Sequence, residues 1–308
     1  MSQLAADRAV AQVRGVCPIV ATPFTTDGEL DVDGFVAVVR HLLMSGVSAV
    51  MFPGYASEYH KLRDEEARLL IAILLNEIGS ALAVISINKE LTSAAVEEAG
   101  WAVDQGARLL SIQPPSTSAG ASETDVVHHI DSVLRHVAPT PVMIQHAGPL
   151  NGMRLEPATL LGLADKHANL RLLKVEAQPP GRFIHELAEA RPPIPALVGY
   201  AGLNLPDAVD RGAIGVQPGS AFVEIYVEMW ARFDQGARPE AHAIYRRLLP
   251  YVVYWMQNLE LSIAAHKTIL ARRGLINSTY CRDPSWLLDA RELMQIDEFF
   301  QEFSDILQ

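Results

Sequence analysis

The chain has 308 residues, of which 49% are hydrophobic and 20% charged, with a formal net charge of −11. Those totals describe a globular chain with material for a sizeable core, and the acidic balance argues against a broad nucleic-acid surface. No stretch approaches the roughly 18 apolar residues of a membrane helix.

Met1 to Arg14 carries Asp7 and lacks an apolar signal core, so it reads as a short arm rather than a targeting peptide. After it, short aliphatic runs recur with helical patterns between them. The expected strands are Gly15–Ala21, Val47–Phe52, Leu82–Ser86, Arg108–Gln113, Pro141–Gln145, Leu170–Glu176, Ala196–Gly199 and Ala213–Gln217. The expected helices are Val32–Ser45, Asp64–Ile78, Thr92–Gly106, Glu123–Val137, Pro157–His167, Gly181–Ala190 and Leu205–Arg211. Alternation of this kind, without a linker or a composition break, predicts an α/β fold of the (β/α)8 barrel type over residues 15–221. From residue 222 to 308 no strand is expected. Phe222–Asp234, Pro239–Leu259, Leu261–Arg273 and Asp289–Leu307 read as an added C-terminal helical extension packed on the barrel. Cys17 and Cys281 stand near opposite ends with no metal or redox spacing, so a reducing cytosol fits best.

One strand holds a charge where packing is expected. Of five lysines, only Lys174 lies inside an apolar strand run, Leu170–Glu176, closed by the breakers Ala177-Gln178-Pro179-Pro180-Gly181. Burial of an amine favours its neutral, nucleophilic form. Glu176 follows two residues later, so Leu172, Lys174 and Glu176 share a face. A structural ion pair is the other reading of that pair, but a lysine near the C-terminal end of the sixth strand of a barrel stands where active sites of this fold are built.

Other candidates follow the remaining strand ends. After the second, Gly54-Tyr55-Ala56-Ser57-Glu58 could present backbone N–H groups to a carboxylate, or form a plain turn capped by Ser57. At the fifth, Gln145 can donate and accept hydrogen bonds but cannot serve as an acid or base at neutral pH, and the adjoining His146 faces the other way. After the seventh, Gly199, Tyr200 and Gly202 are placed to line a distal pocket. The ten histidines lack ligand spacing, so no metal is expected, and no phosphate loop or dinucleotide fingerprint is present.

These residues resemble the dihydrodipicolinate synthase and N-acetylneuraminate lyase superfamily of imine-forming lyases. The resemblance runs from Gly15 to about Arg273. It rests on Gly15-Val16-Cys17-Pro18-Ile19-Val20-Ala21-Thr22-Pro23-Phe24, on Asp27-Gly28-Glu29-Leu30-Asp31, on Gly54 to Glu58, on the sixth-strand lysine and on Gly212-Ala213-Ile214-Gly215-Val216. It implies that Lys174 forms a Schiff base with a 2-keto acid, that Tyr55, Ala56 and Ser57 form the carboxylate loop, and that no cofactor beyond this covalent imine is needed. It further implies a cytoplasmic homo-oligomer, dimer or tetramer, with a small-molecule partner and no nucleic acid or membrane.

The departures narrow the chemistry. Gln145 stands where the synthase and the sialate lyase carry a tyrosine, Tyr55 and Ala56 replace two threonines, Pro115-Ser116 replace a second tyrosine, and Leu150 replaces an arginine. With Lys174-Val175-Glu176, this combination is similar to the 2-keto-3-deoxy-pentonate dehydratases, especially those acting on L-2-keto-3-deoxyarabonate. That implies loss of water from a 2-keto-3-deoxy sugar acid, with Glu176 as acid or base and Gln145 orienting a hydroxyl or a water. A pyruvate-releasing aldolase and a non-catalytic keto-acid-binding barrel are the rival readings. The helices carrying Tyr251, Tyr254 and Trp255 could cover an interface between copies or pack on their own barrel.

Overall fold

Strands buried on both faces mark a parallel sheet covered by helices, and every residue of Ala49–Phe52, Leu82–Ile87, Leu109–Ile112 and Val142–His146 is buried. The computed structural model describes residues 2–116, 120–146 and 155–307. Its strands are β1 Gly15–Val16, β2 Ala49–Phe52, β3 Leu82–Ile87, β4 Leu109–Ile112, β5 Val142–His146, β6 Leu170–Val175, β7 Ala196–Val198 and β8 Gly215–Val216. The helices among the described residues are α1 Gln3–Gln12, α2 Val32–Met44, α3 Asp64–Glu77, α4 Thr92–Asp104, α5 Glu123–Val137, α6 Pro157–Lys166, α7 Pro180–Glu189, α8 Leu205–Asp210, α9 Val223–Asp234, α10 Arg238–Trp255, α11 Leu259–Arg272 and α12 Ala290–Glu302. This is a (β/α)8 barrel fold with added C-terminal helices, as the alternation predicts. Each expected strand and helix is present, with ends that shift by up to five residues, as at β1, which stops at Val16 where Ala21 was expected.

The chain divides into two compact units, Met1–Cys17 with Ser80–Gln217 and Pro18–Gly79 with Pro218–Gln308. In the first, parallel strands follow the order β1-β8-β7-β6-β5-β4-β3. Register carries the positions of the site. Gln145 pairs with Lys174, Lys174 with Leu197, Leu197 with Gly215, and Gly215 with Gly15. Paired residues of parallel strands project to the same face, so Gln145 and Lys174 stand side by side. A side chain at Gly215 would place its Cβ 2.4 Å from Leu197 Cδ2 and 2.5 Å from Gly15 O, so only glycine fits that close approach.

The arm expected before residue 15 is the helix α1. Ser2 Oγ caps it by accepting from Ala5 N at 3.3 Å, and Ala6 and Ala9 are its buried positions. Two alanines give little periodic signal, which is why the helix is invisible to hydrophobic patterning.

In the second unit, Met51 N donates to Pro18 O at 2.9 Å and Val20 N to Met51 O at 3.0 Å, so the segment after Cys17 pairs with β2. Asp31 Oδ1 caps α2 by accepting from Gly34 N at 2.8 Å, and Asn258 Oδ1 caps α11 by accepting from Glu260 N at 2.8 Å. Its core is aromatic. The Phe222 ring lies 5.8 Å from Trp255, 5.1 Å from Phe299 and 4.8 Å from His266, and Phe299 packs at 5.2 Å on Tyr251. Trp255 is thus covered within its own chain, while Tyr254 donates its hydroxyl to Glu292 Oε1 at 3.0 Å.

Candidate active site

Burial surrounds a small set of polar side chains in the first unit. Gln145, Lys174 and Glu176 are 1%, 2% and 4% exposed. Glu176 N donates to His146 O at 2.9 Å, which extends the β5–β6 ladder past Val175 and fixes the Glu176 backbone. Its carboxylate then takes three partners. Lys174 Nζ lies 3.2 Å from Oε1, Tyr200 N donates to Oε1 at 3.0 Å, and Gln145 Nε2 donates to Oε2 at 3.1 Å. The bond to a carboxylate fixes the Gln145 amide with its nitrogen toward Glu176, which leaves Oε1 as a buried acceptor without a partner.

The loop after β7 is shaped around that carboxylate. A Cβ on Gly199 would lie 2.3 Å from Glu176 Cγ and 2.5 Å from Oε1, so the absence of a side chain there is what seats Glu176. Tyr200 and Ala201 both adopt positive φ, 53° and 51°, followed by Gly202 at 68°. Left-handed backbone costs roughly 1–2 kcal/mol per non-glycine residue. Here it aims the Tyr200 N–H at Glu176, while Gly202 N closes the turn on Gly199 O at 3.0 Å. Of the residues expected around a distal pocket, Gly199 and Tyr200 lie against Glu176, the latter through its main chain.

Sequence reasoning missed Gln217 and the role of Cys17. Gln217 Nε2 donates to Cys17 Sγ at 3.4 Å, and Gln217 Oε1 is buried without a partner. Burial pushes the Cys17 thiol up to about 12, against the smaller lowering effects of the Gln217 hydrogen bond and the Lys174 charge. The signal was present: a polar residue closing a short apolar strand, as at Lys174. His146 pairs in register with Val175, and its ring lies 4.5 Å from Phe183, so it faces away from Lys174 as expected.

The expected carboxylate loop belongs to the second unit. Tyr55–Ser57 forms a single 3-10 turn, and Ser57 is fully buried. Ser57 Oγ donates to Val20 O at 2.6 Å and accepts from Gly54 N at 3.0 Å, while Thr22 Oγ1 donates to Ser57 O at 2.7 Å. The Ser57 hydroxyl is therefore engaged by the backbone of Val20 and Gly54, and Tyr55 and Ala56 stand at the first positions of the turn. Next to it, Glu58 is fully buried in the left-handed region at φ 56° and pairs with Lys61 at 3.0 Å and with Lys267. Leu150 lies outside the described residues. Among the described residues no group of three or more His, Cys, Asp or Glu side chains is placed to hold a metal, and no helix is long and apolar enough to cross a membrane.

Comparison with known proteins agrees with the fold. A model of the dihydrodipicolinate synthetase family matches residues 12–302. The 4-hydroxy-tetrahydrodipicolinate synthase of Kineococcus radiotolerans is 27% identical over 87% of this chain and 86% of its own. The putative 2-dehydro-3-deoxy-D-gluconate aldolase YagE of Escherichia coli is 25% identical over 94% and 96%. The L-2-keto-3-deoxyarabonate dehydratase of Azospirillum brasilense is 23% identical over 88% of each. Among solved structures, a dihydrodipicolinate synthase from Rhodopseudomonas palustris superposes with a TM-score of 0.88 at 22% identity, over 94% of this chain and 98% of that one.

Proposed function

The chain belongs to the dihydrodipicolinate synthetase family, and we propose that it is a Schiff-base lyase that removes water from a 2-keto-3-deoxy sugar acid. The observation that carries this reading is the Glu176 carboxylate, held 3.2 Å from Lys174 Nζ with two further donors fixing its direction. Strand β5 offers Gln145, an amide, where a proton relay would need an ionisable group. Proton traffic therefore falls to the one carboxyl beside the lysine.

The steps follow from that assignment. Lys174 adds to C2 of the keto acid and the C2 oxygen leaves as water, giving a protonated imine that withdraws electrons from C3. Glu176 takes a proton from C3, and the electron pair of that C–H bond forms the enamine C2=C3 bond. The enamine nitrogen then returns its electrons, a C3=C4 bond forms, and the C4–O bond breaks. The departing hydroxyl takes the proton from Glu176 and leaves as water, so the carboxylate is regenerated. A second water then adds to C2 and hydrolyses the imine, returning Lys174 as the amine and freeing the dehydrated keto acid. Gln145 keeps Glu176 aimed and offers Oε1 to a substrate hydroxyl.

A 2-keto-3-deoxypentonate incubated with the enzyme tests the reaction. The expected free product is lighter than the substrate by one water and keeps its carbon skeleton, since the water expelled on imine formation is returned on hydrolysis. Release of pyruvate with a matching aldehyde would instead assign a C3–C4 cleavage, the aldolase reaction. No turnover despite binding would reduce the chain to a keto-acid binder.

A further inference from the structure

Gln217, a buried amide just past the end of β8, is left without a task by the steps above. It is 2% exposed, with one amide atom on Cys17 Sγ and the other without a partner. Exchanging its oxygen and nitrogen by a half-turn changes which atom is spent but leaves one unspent in either case. A hydroxyl, which both donates and accepts, matches either atom.

Its position says which hydroxyl. Because Lys174 pairs with Leu197 and Leu197 with Gly215, the residues two further along each strand, Glu176, Gly199 and Gln217, occupy the next layer on the same face. The ladder continues through that layer, with Gly199 N on Val175 O at 2.9 Å and Gln217 N on Val198 O at 3.0 Å. Gly199 has no side chain, and Glu176 leans over it. Glu176 and Gln217 therefore stand in one layer, on strands about 10 Å apart across β7. The Lys174 charge acts on Cys17, the residue that holds Gln217, so the amide belongs to the same buried polar set.

We infer that Gln217 is a substrate-binding residue that holds the departing C4 hydroxyl opposite Glu176, an assignment that rests on the dehydration proposed above. The proton for that hydroxyl comes from Glu176 and the C4–O bond breaks with its electron pair on oxygen; Gln217 exchanges no proton and keeps the oxygen in line. Cys17 fixes the amide and takes no part in the chemistry, since its thiol stays protonated at working pH.

The test separates hydroxyl binding from imine formation. In Gln217→Met, of nearly the same length and apolar, dehydration of a 2-keto-3-deoxypentonate should slow by roughly 10- to 100-fold. Borohydride trapping of pyruvate, which has no C4 hydroxyl, should stay within about twofold of the wild-type rate, since this residue exchanges no proton in that step. Equal losses in both assays, or dehydration unchanged, would overturn the assignment. Should the methionine variant not fold, Gln217→Asn withdraws the amide by one methylene and carries the same two expectations. A wild-type protein that traps no pyruvate would remove the imine reading first, and this inference with it.

Discussion

Each unit buries a lysine against a glutamate, and the two pairs are built in opposite ways. In the second unit Glu58 is shared by Lys61 and Lys267. Lys267 also donates to Tyr280 O at 2.8 Å and lies 4.2 Å over the Phe24 ring, and Lys61 reaches Glu260 besides. Burial lowers Lys267 from the ordinary lysine value, while the Glu58 charge raises it. Each Glu58 carboxylate oxygen there has a lysine as its ion-pair partner. In the first unit Lys174 has Glu176 as its ion-pair partner, and the buried amides of that unit, Gln145 and Gln217, each keep an atom unspent. An unsatisfied buried polar atom costs about 1–3 kcal/mol, and a hydroxyl brought in by a ligand would offset that cost at either amide.

Cutting the Glu58 network should have the largest effect. Lys267→Met leaves Glu58 with half its charge partners in a fully buried position, and breaking such a pair costs about 3–5 kcal/mol. Urea denaturation should show that loss, while the folded fraction keeps its pyruvate trapping at Lys174. A large loss of trapping with unchanged stability would reverse the comparison. Glu176→Gln acts the other way. The amide nearly preserves shape and hydrogen bonding but cannot carry a proton, so kcat for dehydration should fall on the order of 10²–10³-fold, with a smaller stability loss than in Lys267→Met. If stability collapsed while the remaining activity per folded molecule stayed normal, Glu176 would be structural.

The smallest effect is in pH. Burial raises Glu224, but hydrogen bonds from His41 and Arg273 outweigh it and hold the carboxyl at about 2 instead of 4.5. A carboxyl held low in the folded state stabilises the protein above its unfolded value, and that contribution drains as pH falls from about 4.5 toward 2. The difference corresponds to about 3 kcal/mol. Denaturation across this window should steepen in wild type and flatten in Glu224→Gln; parallel curves would remove Glu224 as the cause.

Most of this was legible in the chain. Buried parallel strands write themselves as short aliphatic runs, and Lys174 stood out as the one lysine of five inside such a run. Gln145 and Glu176 followed from the alternation of strand side chains, and their mutual hydrogen bond needs only the register of β5 on β6. The Glu58 network was not legible. Its members come from the turn after β2 and from α11, far apart in sequence, and a lysine on a helix looks solvated until tertiary packing covers it. The task of Ser57 was hidden for a related reason. A serine after a glycine reads as a ligand donor or a cap, and only the path of residues 18–22 beside it shows the hydroxyl spent on Val20 O. Tyr200 and Ala201 at positive φ had no signal, because neither residue type announces that backbone.

The most direct test of the central claim lets both lysines compete. Borohydride reduction in the presence of pyruvate, followed by digestion and peptide mass mapping, reports which amine forms the imine. The account predicts one adduct per chain, on Lys174, none on Lys267, and none anywhere in Lys174→Ala. An adduct on Lys267, or an undiminished adduct in Lys174→Ala, would contradict it.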